Sequence, residues 1–180
     1  MTRLHDLHAS QGQSPWLDNI RRGWLTSGEL AGWVDRGVRG LTSNPSIFQK
    51  AIEGSTEYDE QFRSSIAAGL DLEASYWELV TSDIGAALDI LRPVYDSSGG
   101  LDGYVSVEVD PGLARDADGT EAAARELDTR LAAPNLYIKI PATSEGLAPI
   151  RQMIEEKRSI NVTLIFGLER YAQVLSLIHI

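Results

Sequence analysis

Strand-like and helix-like segments alternate along this chain, and that alternation is the feature that most restricts its fold. Five segments rich in β-branched and aromatic residues have the length of short strands: Ser14–Ile20, Val38–Ser46, Asp102–Pro111, Asn135–Thr143 and Ser159–Phe166. Strands separated by helices form βα units, and successive units place their strands parallel in one sheet. The sequence therefore predicts an α/β protein.

Helical segments fill the intervals between these strands. In chain order they are Thr26–Gly37, Thr56–Gly69, Ala74–Val94, Asp118–Pro134, Thr143–Lys157 and Gly167–Leu177. In the third of them, apolar residues recur at helical spacing from Trp77 to Leu91. Pro93 is predicted to end that helix, because proline lacks the backbone N–H that a helix interior needs.

Two architectures place parallel strands beside helices, an open doubly wound sheet and a (β/α)8 barrel. No Gly-x-Gly-x-x-Gly motif follows a strand, so a dinucleotide-binding sheet loses its main support. Five strands in 180 residues match the density of a barrel, which has eight strands in about 250 residues. We expect a (β/α)8 TIM barrel of which about five βα units are present, forming one domain over residues 1–180.

Composition narrows the functional classes. The net charge of −10 argues against non-specific nucleic-acid binding, although one or two arginines could still hold an anionic small molecule. The chain has no cysteine, which excludes disulfides and thiolate metal ligands. No apolar run could span a bilayer, and no apolar signal segment is visible near the start. We expect a cytoplasmic protein with no membrane or nucleic-acid partner.

A lysine interrupts the most strand-like segment, Asn-Leu-Tyr-Ile-Lys-Ile-Pro-Ala-Thr, at Lys139. Lysine is almost never buried unless it is paired or used. One interpretation is an edge strand whose lysine faces water. The other is a lysine held in an apolar pocket, where burial disfavours the charged ammonium and exposes a nucleophilic amine.

Side-chain alternation places polar groups on one face of several strands. In a βα barrel the apolar strand face meets the helices, and polar residues late in each strand point toward the catalytic mouth. Six such residues come from five strands: Asp18, Asn44, Glu108, Lys139, Asn161 and Thr163. Each has an ordinary alternative, namely a turn start for Asn44, exposed edge strands for Asp18 and Glu108, and polar strand ends for Asn161 and Thr163. Their shared face favours a common site.

This set of groups suits imine chemistry. A neutral lysine amine attacks a ketone to form a Schiff base, which permits cleavage of the neighbouring C–C bond. The two carboxylates, Asp18 and Glu108, could move the protons. Amides and hydroxyls suit a polyol substrate, and no metal or other cofactor is needed. Three histidines lie near the chain ends and form no ligand pattern: His5, His8 and His179.

Four segments resemble transaldolases of the longer bacterial type. They begin at Gly40 (GLTSNPSIF), Val105 (VSVEVDPGLA), Asn135 (NLYIKIPATSEGLAPI) and Ile160 (INVTLIFGLERY). The resemblance covers residues 10–174 and implies a class I aldolase-type barrel of the pentose phosphate pathway. Members of that family transfer a dihydroxyacetone unit from sedoheptulose 7-phosphate to glyceraldehyde 3-phosphate, so sugar phosphates are the implied partners.

The same resemblance implies a role for each candidate residue. Lys139 would be the Schiff-base nucleophile, and Asp18 the acid–base group at the bond that breaks. Glu108 and Thr163 would position a water for imine formation. The hydroxyls of the dihydroxyacetone unit would be held by two amides, Asn44 and Asn161.

The chain departs from the family pattern near its end. The later Ser-Pro-Phe…Arg segment of transaldolases is absent, and residues 176–180 resemble a foreign tail. We therefore expect a C-terminally truncated barrel that is inactive alone. Two other functions stay open: an activity like that of fructose 6-phosphate aldolase, which releases free dihydroxyacetone, and a non-catalytic partial barrel. The sequence does not fix the oligomeric state.

Overall fold

The structure is a computed structural model that describes residues 1–178. Within this range five strands occur, each inside its predicted segment: β1 Trp16–Asp18, β2 Gly40–Thr42, β3 Tyr104–Glu108, β4 Leu136–Pro141 and β5 Ile160–Thr163. The α-helices are α1 Arg3–Gln11, α2 Arg22–Thr26, α3 Glu29–Asp35, α4 Pro45–Glu53, α5 Asp59–Ala67, α6 Leu72–Ser97, α7 Ala117–Leu131, α8 Leu147–Glu155 and α9 Leu168–Ile178. Short 3-10 turns occupy Thr56–Tyr58 and Pro111–Leu113.

The prediction that Pro93 ends its helix is wrong, because α6 continues to Ser97. The helix packs against α2, α3 and α5, and its buried residues recur along one side from Ser75 to Leu91. Packing of this face stabilises the helix beyond the one backbone hydrogen bond that Pro93 cannot make.

Other helices also differ from the predictions. The segment Thr26–Gly37 is predicted to form one helix, but within it only α3 forms, and a break at Gly28 separates α3 from α2, which ends at Thr26. Gly28 has φ 81°, a left-handed conformation that a helix interior does not allow and that glycine adopts readily. Two helices, α1 and α4, were not predicted at all. The segment through Ser46 was predicted as strand and turn, but α4 begins at Pro45 with Asn44 as its N-cap.

The chain divides into two compact units, one ending at Val105 and one beginning at Ser106. In the first unit, β1 pairs parallel with β2, and Trp16 lies opposite Gly40. A Cβ atom on Gly40 would lie 2.2 Å from the Trp16 indole ring, so only glycine allows this close approach. The core of the unit is apolar and includes Ile20, Leu30, Leu41, Phe48, Ile84, Leu88 and Leu91.

In the second unit, β4 pairs parallel with β5, and Lys139 lies opposite Asn161. The Val109 N–H donates to the Lys139 carbonyl, which joins the end of β3 to β4. The predicted apolar faces are confirmed for β3 and β4. The residues of these faces are buried: Val105, Val107, Val109, Leu136, Ile138 and Ile140. Helices α7 and α8 pack against each other, α7 contacts β4, and α8 contacts β5.

The strands follow the chain order, β1-β2-β3-β4-β5, in one sheet. Sequential order with helices between the strands is the arrangement of a (β/α)8 barrel, and five of its units are present. The predicted fold class, an α/β partial TIM barrel, is therefore confirmed. Within residues 1–178, no helix is long and apolar enough to cross a membrane. The predicted foreign tail lies partly in α9, and residues 179 and 180 lie outside the described residues.

Candidate active site

A buried amine and a carboxylate meet on the polar face of the second unit. The Lys139 Nζ lies 3.3 Å from the Glu108 Oε2, and the two side chains are only 10% and 13% exposed. Glu108 is the last residue of β3, and Lys139 is the fourth residue of β4. The strand order places β4 between β3 and β5, so the interpretation of Lys139 as an exposed edge-strand lysine is wrong.

The alternation of β4 explains how an ammonium group comes to lie in an apolar strand. Ile138 and Ile140 flank Lys139 in sequence and are fully buried on the opposite face. These two side chains fix the register of the strand, because a slip of one residue would exchange the two faces. Lys139 is consequently held with its amine on the polar side, next to Glu108.

Asn161 lies on the same face because it is paired in register with Lys139 across two parallel strands. Its Oδ1 accepts a hydrogen bond of 3.3 Å from the Ser106 hydroxyl. Thr163 lies two residues further along β5, so its side chain leaves the same face. The structure therefore brings Lys139, Glu108 and Asn161 together, with Thr163 at the end of their sheet face.

Ser106 is a polar residue of this face that was not predicted as part of the site. It is fully buried in the middle of β3, between two buried valines. A small hydroxyl residue in an otherwise apolar strand is the sequence signal that could have identified it. By donating to Asn161, it fixes which end of that amide accepts hydrogen bonds.

The other two predicted site residues lie in the first unit. Asp18 is the last residue of β1 and is exposed. Asn44 lies two residues beyond β2 and is the N-cap of α4, where its Oδ1 accepts a 3.0 Å hydrogen bond from the Ile47 N–H. The ordinary alternative for Asn44, the start of a turn, is thus wrong, because its oxygen caps a helix instead. The amide nitrogen is the group that could donate to a ligand.

A cavity of about 760 Å³ in the first unit opens beside Asp18. Its lining carries charges of both signs, from Arg21, Lys50, Glu29 and Glu57 among others. Its wall includes Arg22 and Tyr58, which form a buried hydrogen-bond network with Asp83. The sequence did not predict this network, because its partners lie 25 to 61 residues apart.

Among the described residues, His5 and His8 play no part in these groups. His5 accepts a hydrogen bond from the Thr2 N–H in the first turn of α1, and His8 lies 3.5 Å from the Asp102 carboxylate. His179 lies outside the described residues. Within residues 1–178, no group of three or more histidine, aspartate or glutamate side chains could hold a metal ion.

Comparison with known proteins assigns the chain to a family. A family model described as transaldolase/fructose-6-phosphate aldolase matches residues 15–178. This match covers most of the chain, and the chain belongs to that family.

Relatives of the chain carry the same family name. It is 49% identical over 173 residues to a transaldolase of Acidothermus cellulolyticus, covering 96% of this chain and 46% of the relative. A transaldolase of Frankia alni is 49% identical with the same coverage, and transaldolase 2 of Nostoc punctiforme is 46% identical over 95% of this chain. The chain spans about half the length of these curated relatives.

Proposed function

We propose that the protein carries out transaldolase chemistry, in which Lys139 forms an imine with a ketose phosphate and transfers a dihydroxyacetone unit. The observation that carries this proposal is the distance of 3.3 Å between the Nζ of the buried Lys139 and the Oε2 of the partly buried Glu108. A nucleophilic amine with an acid–base group beside it is the minimum that imine chemistry requires. The pair lies in the segments through which the chain matches the family.

Imine formation is the first proposed step. The neutral Lys139 Nζ attacks the C2 carbonyl of the ketose, and the oxygen leaves as water after it gains protons. Glu108 can exchange protons with the amine and, with Thr163, can hold the water that enters or leaves. Asn161 would then bind a hydroxyl of the dihydroxyacetone unit, using the amide nitrogen that its contact with Ser106 leaves facing away.

Cleavage of the C–C bond is the second proposed step. Asp18 would take the proton of the C4 hydroxyl, so that the C3–C4 electrons move toward the iminium and the aldehyde leaves. The three-carbon enamine remains on Lys139 until an acceptor aldehyde binds and the steps reverse. The Asn44 amide nitrogen would hold a second hydroxyl of the retained unit.

The substrates proposed by family resemblance are sedoheptulose 7-phosphate as donor and glyceraldehyde 3-phosphate as acceptor, within the pentose phosphate pathway. The cytoplasmic location and a single barrel domain over residues 1–180 stay predictions. The expectation that the 180-residue chain is inactive alone is the competing outcome of the product analysis, in which neither sedoheptulose 7-phosphate nor free dihydroxyacetone would form.

Product analysis tests the proposal and separates its alternatives. The protein is incubated with fructose 6-phosphate, with and without erythrose 4-phosphate as acceptor. Sedoheptulose 7-phosphate formed only with the acceptor is the expected result. Release of free dihydroxyacetone without an acceptor would instead indicate activity like that of fructose 6-phosphate aldolase. Lys139→Met should remove either activity, whereas Lys157→Asn, at an exposed left-handed position, is the matched lysine control.

A further inference from the structure

A buried polar network lies at the start of α2, a few residues after Asp18. The Asp83 carboxylate on α6 and the Tyr58 ring are each only 2% exposed. The Tyr58 hydroxyl donates to Asp83 Oδ2 at 2.8 Å, and the Arg22 Nε donates to Asp83 Oδ1 at 2.8 Å. The two carboxylate oxygens are thus bound by different residues from different elements.

Arg22 is held by its backbone as well as by its side chain. Its N–H donates to the Tyr58 hydroxyl at 3.1 Å, and its guanidinium lies 4.3 Å from the centre of the Tyr58 ring. The preceding residue, Arg21, provides no side-chain cap for α2. Tyr58 therefore accepts one of the first backbone N–H groups of α2, which have no partner inside the helix.

Three residues separate Asp18 from Arg22, and the contacts of Arg22 with Tyr58 and Asp83 anchor that end of the segment. Among them Ile20 is fully buried, and Asp18 itself is paired in register with Thr42 across β1 and β2. The segment that carries the exposed Asp18 carboxylate is consequently fixed at both ends. If the contacts of Arg22 were lost, the part of this segment that follows Asp18 and lies outside the sheet would be held less firmly.

A contribution to folding stability does not by itself explain why the chain has this buried network. A buried arginine–aspartate pair loses much of its attraction to desolvation, and apolar residues of similar size often stabilise a fold equally well. A network that is fully hydrogen-bonded does fix one geometry. We propose that Arg22, Tyr58 and Asp83 are positioning residues that hold the Asp18 carboxylate for the C–C cleavage step, an inference that rests on the proposed function.

The direction of the pKa shifts of Tyr58 and Asp83 agrees with a network that holds one geometry. Burial, with the negative charge of Asp83, raises the pKa of the Tyr58 phenol, so that the hydroxyl keeps its proton and donates it. Burial also raises the pKa of Asp83, against the opposing effect of its hydrogen bonds from Tyr58 and Arg22.

Borohydride trapping with fructose 6-phosphate tests this inference through two products. Reduction before cleavage leaves the whole sugar phosphate on Lys139. After cleavage the enamine takes up a proton at carbon to become an iminium again, and its reduction leaves only the three-carbon unit. Mass spectrometry gives the ratio of uncleaved to cleaved adduct. We expect Tyr58→Phe and Asp83→Asn to raise this ratio by roughly 10- to 100-fold, because a misplacement of about 1 Å can cost about 100-fold in rate. Asp18→Asn should raise it further.

Two controls separate positioning from a general loss of structure. Trapping with dihydroxyacetone needs no bond cleavage, so its yield should not change in Tyr58→Phe. Tyr104→Phe removes a tyrosine hydroxyl that donates to the Gly100 carbonyl at 2.8 Å and should leave the adduct ratio at the wild-type value. Amide hydrogen exchange across residues 18–24 should become faster in Tyr58→Phe and stay unchanged in Tyr104→Phe.

The outcomes distinguish the inference from the function on which it rests. If Tyr58→Phe and Asp83→Asn both show the wild-type adduct ratio while Asp18→Asn raises it, the positioning inference is wrong and the proposed function stands. If the dihydroxyacetone yield falls as much as cleavage does, the network is merely structural and the inference is again wrong. If the unmodified protein forms no adduct with either sugar, the proposed function is wrong, and the inference with it.

Discussion

Asn161 lies directly opposite Lys139 across two parallel strands, so the amide and the amine leave the sheet on the same face. Ser106 reaches this face from β3 and donates to the Asn161 oxygen. The lysine therefore lies between a carboxylate, Glu108, and an amide whose orientation is fixed. This relationship explains how a strand with one apolar face can hold an amine beside a carboxylate and an amide on its other face.

Asn161→Ala is expected to weaken binding of the three-carbon unit without preventing imine formation. One lost hydrogen bond, worth about 0.5–1.5 kcal/mol, predicts a roughly 2- to 10-fold higher dihydroxyacetone concentration at half-maximal borohydride trapping. Ser106→Ala should have a smaller effect in the same direction, because Ser106 acts through Asn161. An unchanged concentration dependence in Asn161→Ala would show that the amide does not contact the substrate.

Glu108→Gln is expected to slow imine formation while leaving the amine in place. General acid–base groups typically contribute about 10²- to 10⁴-fold to rate, and a loss in that range should appear in the rate of trapping with dihydroxyacetone. Glu155→Gln, in an exposed ion pair with Arg151, is the matched control. Equal trapping rates in the two variants would show that Glu108 takes no part in imine formation.

Ile138→Ala is expected to lower the free energy of unfolding by about 2–5 kcal/mol, because the side chain is fully buried and leaves a cavity. Chemical denaturation measures the change. Leu101→Ala, at a side chain that is 87% exposed, should alter stability by less than about 0.5 kcal/mol. Similar losses in both variants would contradict the assignment of Ile138 to the apolar face that fixes the register of β4.

Tyr58→Phe is expected to make stability less sensitive to alkaline pH. Burial and the charge of Asp83 raise the pKa of Tyr58 above its ordinary value of 10.0, so the folded protein holds this proton more tightly than the unfolded chain. That contribution is complete below pH 10.0 and is lost as the pH rises further.

The measurement is the difference in free energy of unfolding between wild type and Tyr58→Phe. At neutral pH the wild type should be more stable by about 1.5–3 kcal/mol, as expected for a hydrogen bond to a charged group. The difference should narrow as the pH rises above 10.0. A difference that stays constant, or that matches Tyr104→Phe at every pH, would contradict the raised pKa of Tyr58.

Local patterns in the sequence predicted the strands and the polar face well. Alternation along β3 and β4 separates buried aliphatic residues from Glu108 and Lys139, and the register of β4 and β5 adds Asn161. These features depend on neighbours within a strand or on parallel pairing, both of which follow from simple periodicity.

Features that depend on distant contacts were not predictable in the same way. Helix α6 passes through Pro93 because packing along the rest of the helix outweighs one missing hydrogen bond. The network of Arg22, Tyr58 and Asp83 joins three elements that no short motif connects. The start of α4 was predictable in principle, because asparagine before proline is a helix N-terminus signal as well as a turn signal.

The central claim is that Lys139 is the imine-forming amine, and peptide mapping after borohydride reduction tests it most directly. The protein is reduced in the presence of dihydroxyacetone, digested and analysed by mass spectrometry, with Lys50 and Lys157 as the two other lysines of the chain. The account predicts a reduced three-carbon adduct on Lys139 that is absent from Lys139→Met and still forms in Lys157→Asn. An adduct spread over the exposed lysines, or none on Lys139, would contradict it.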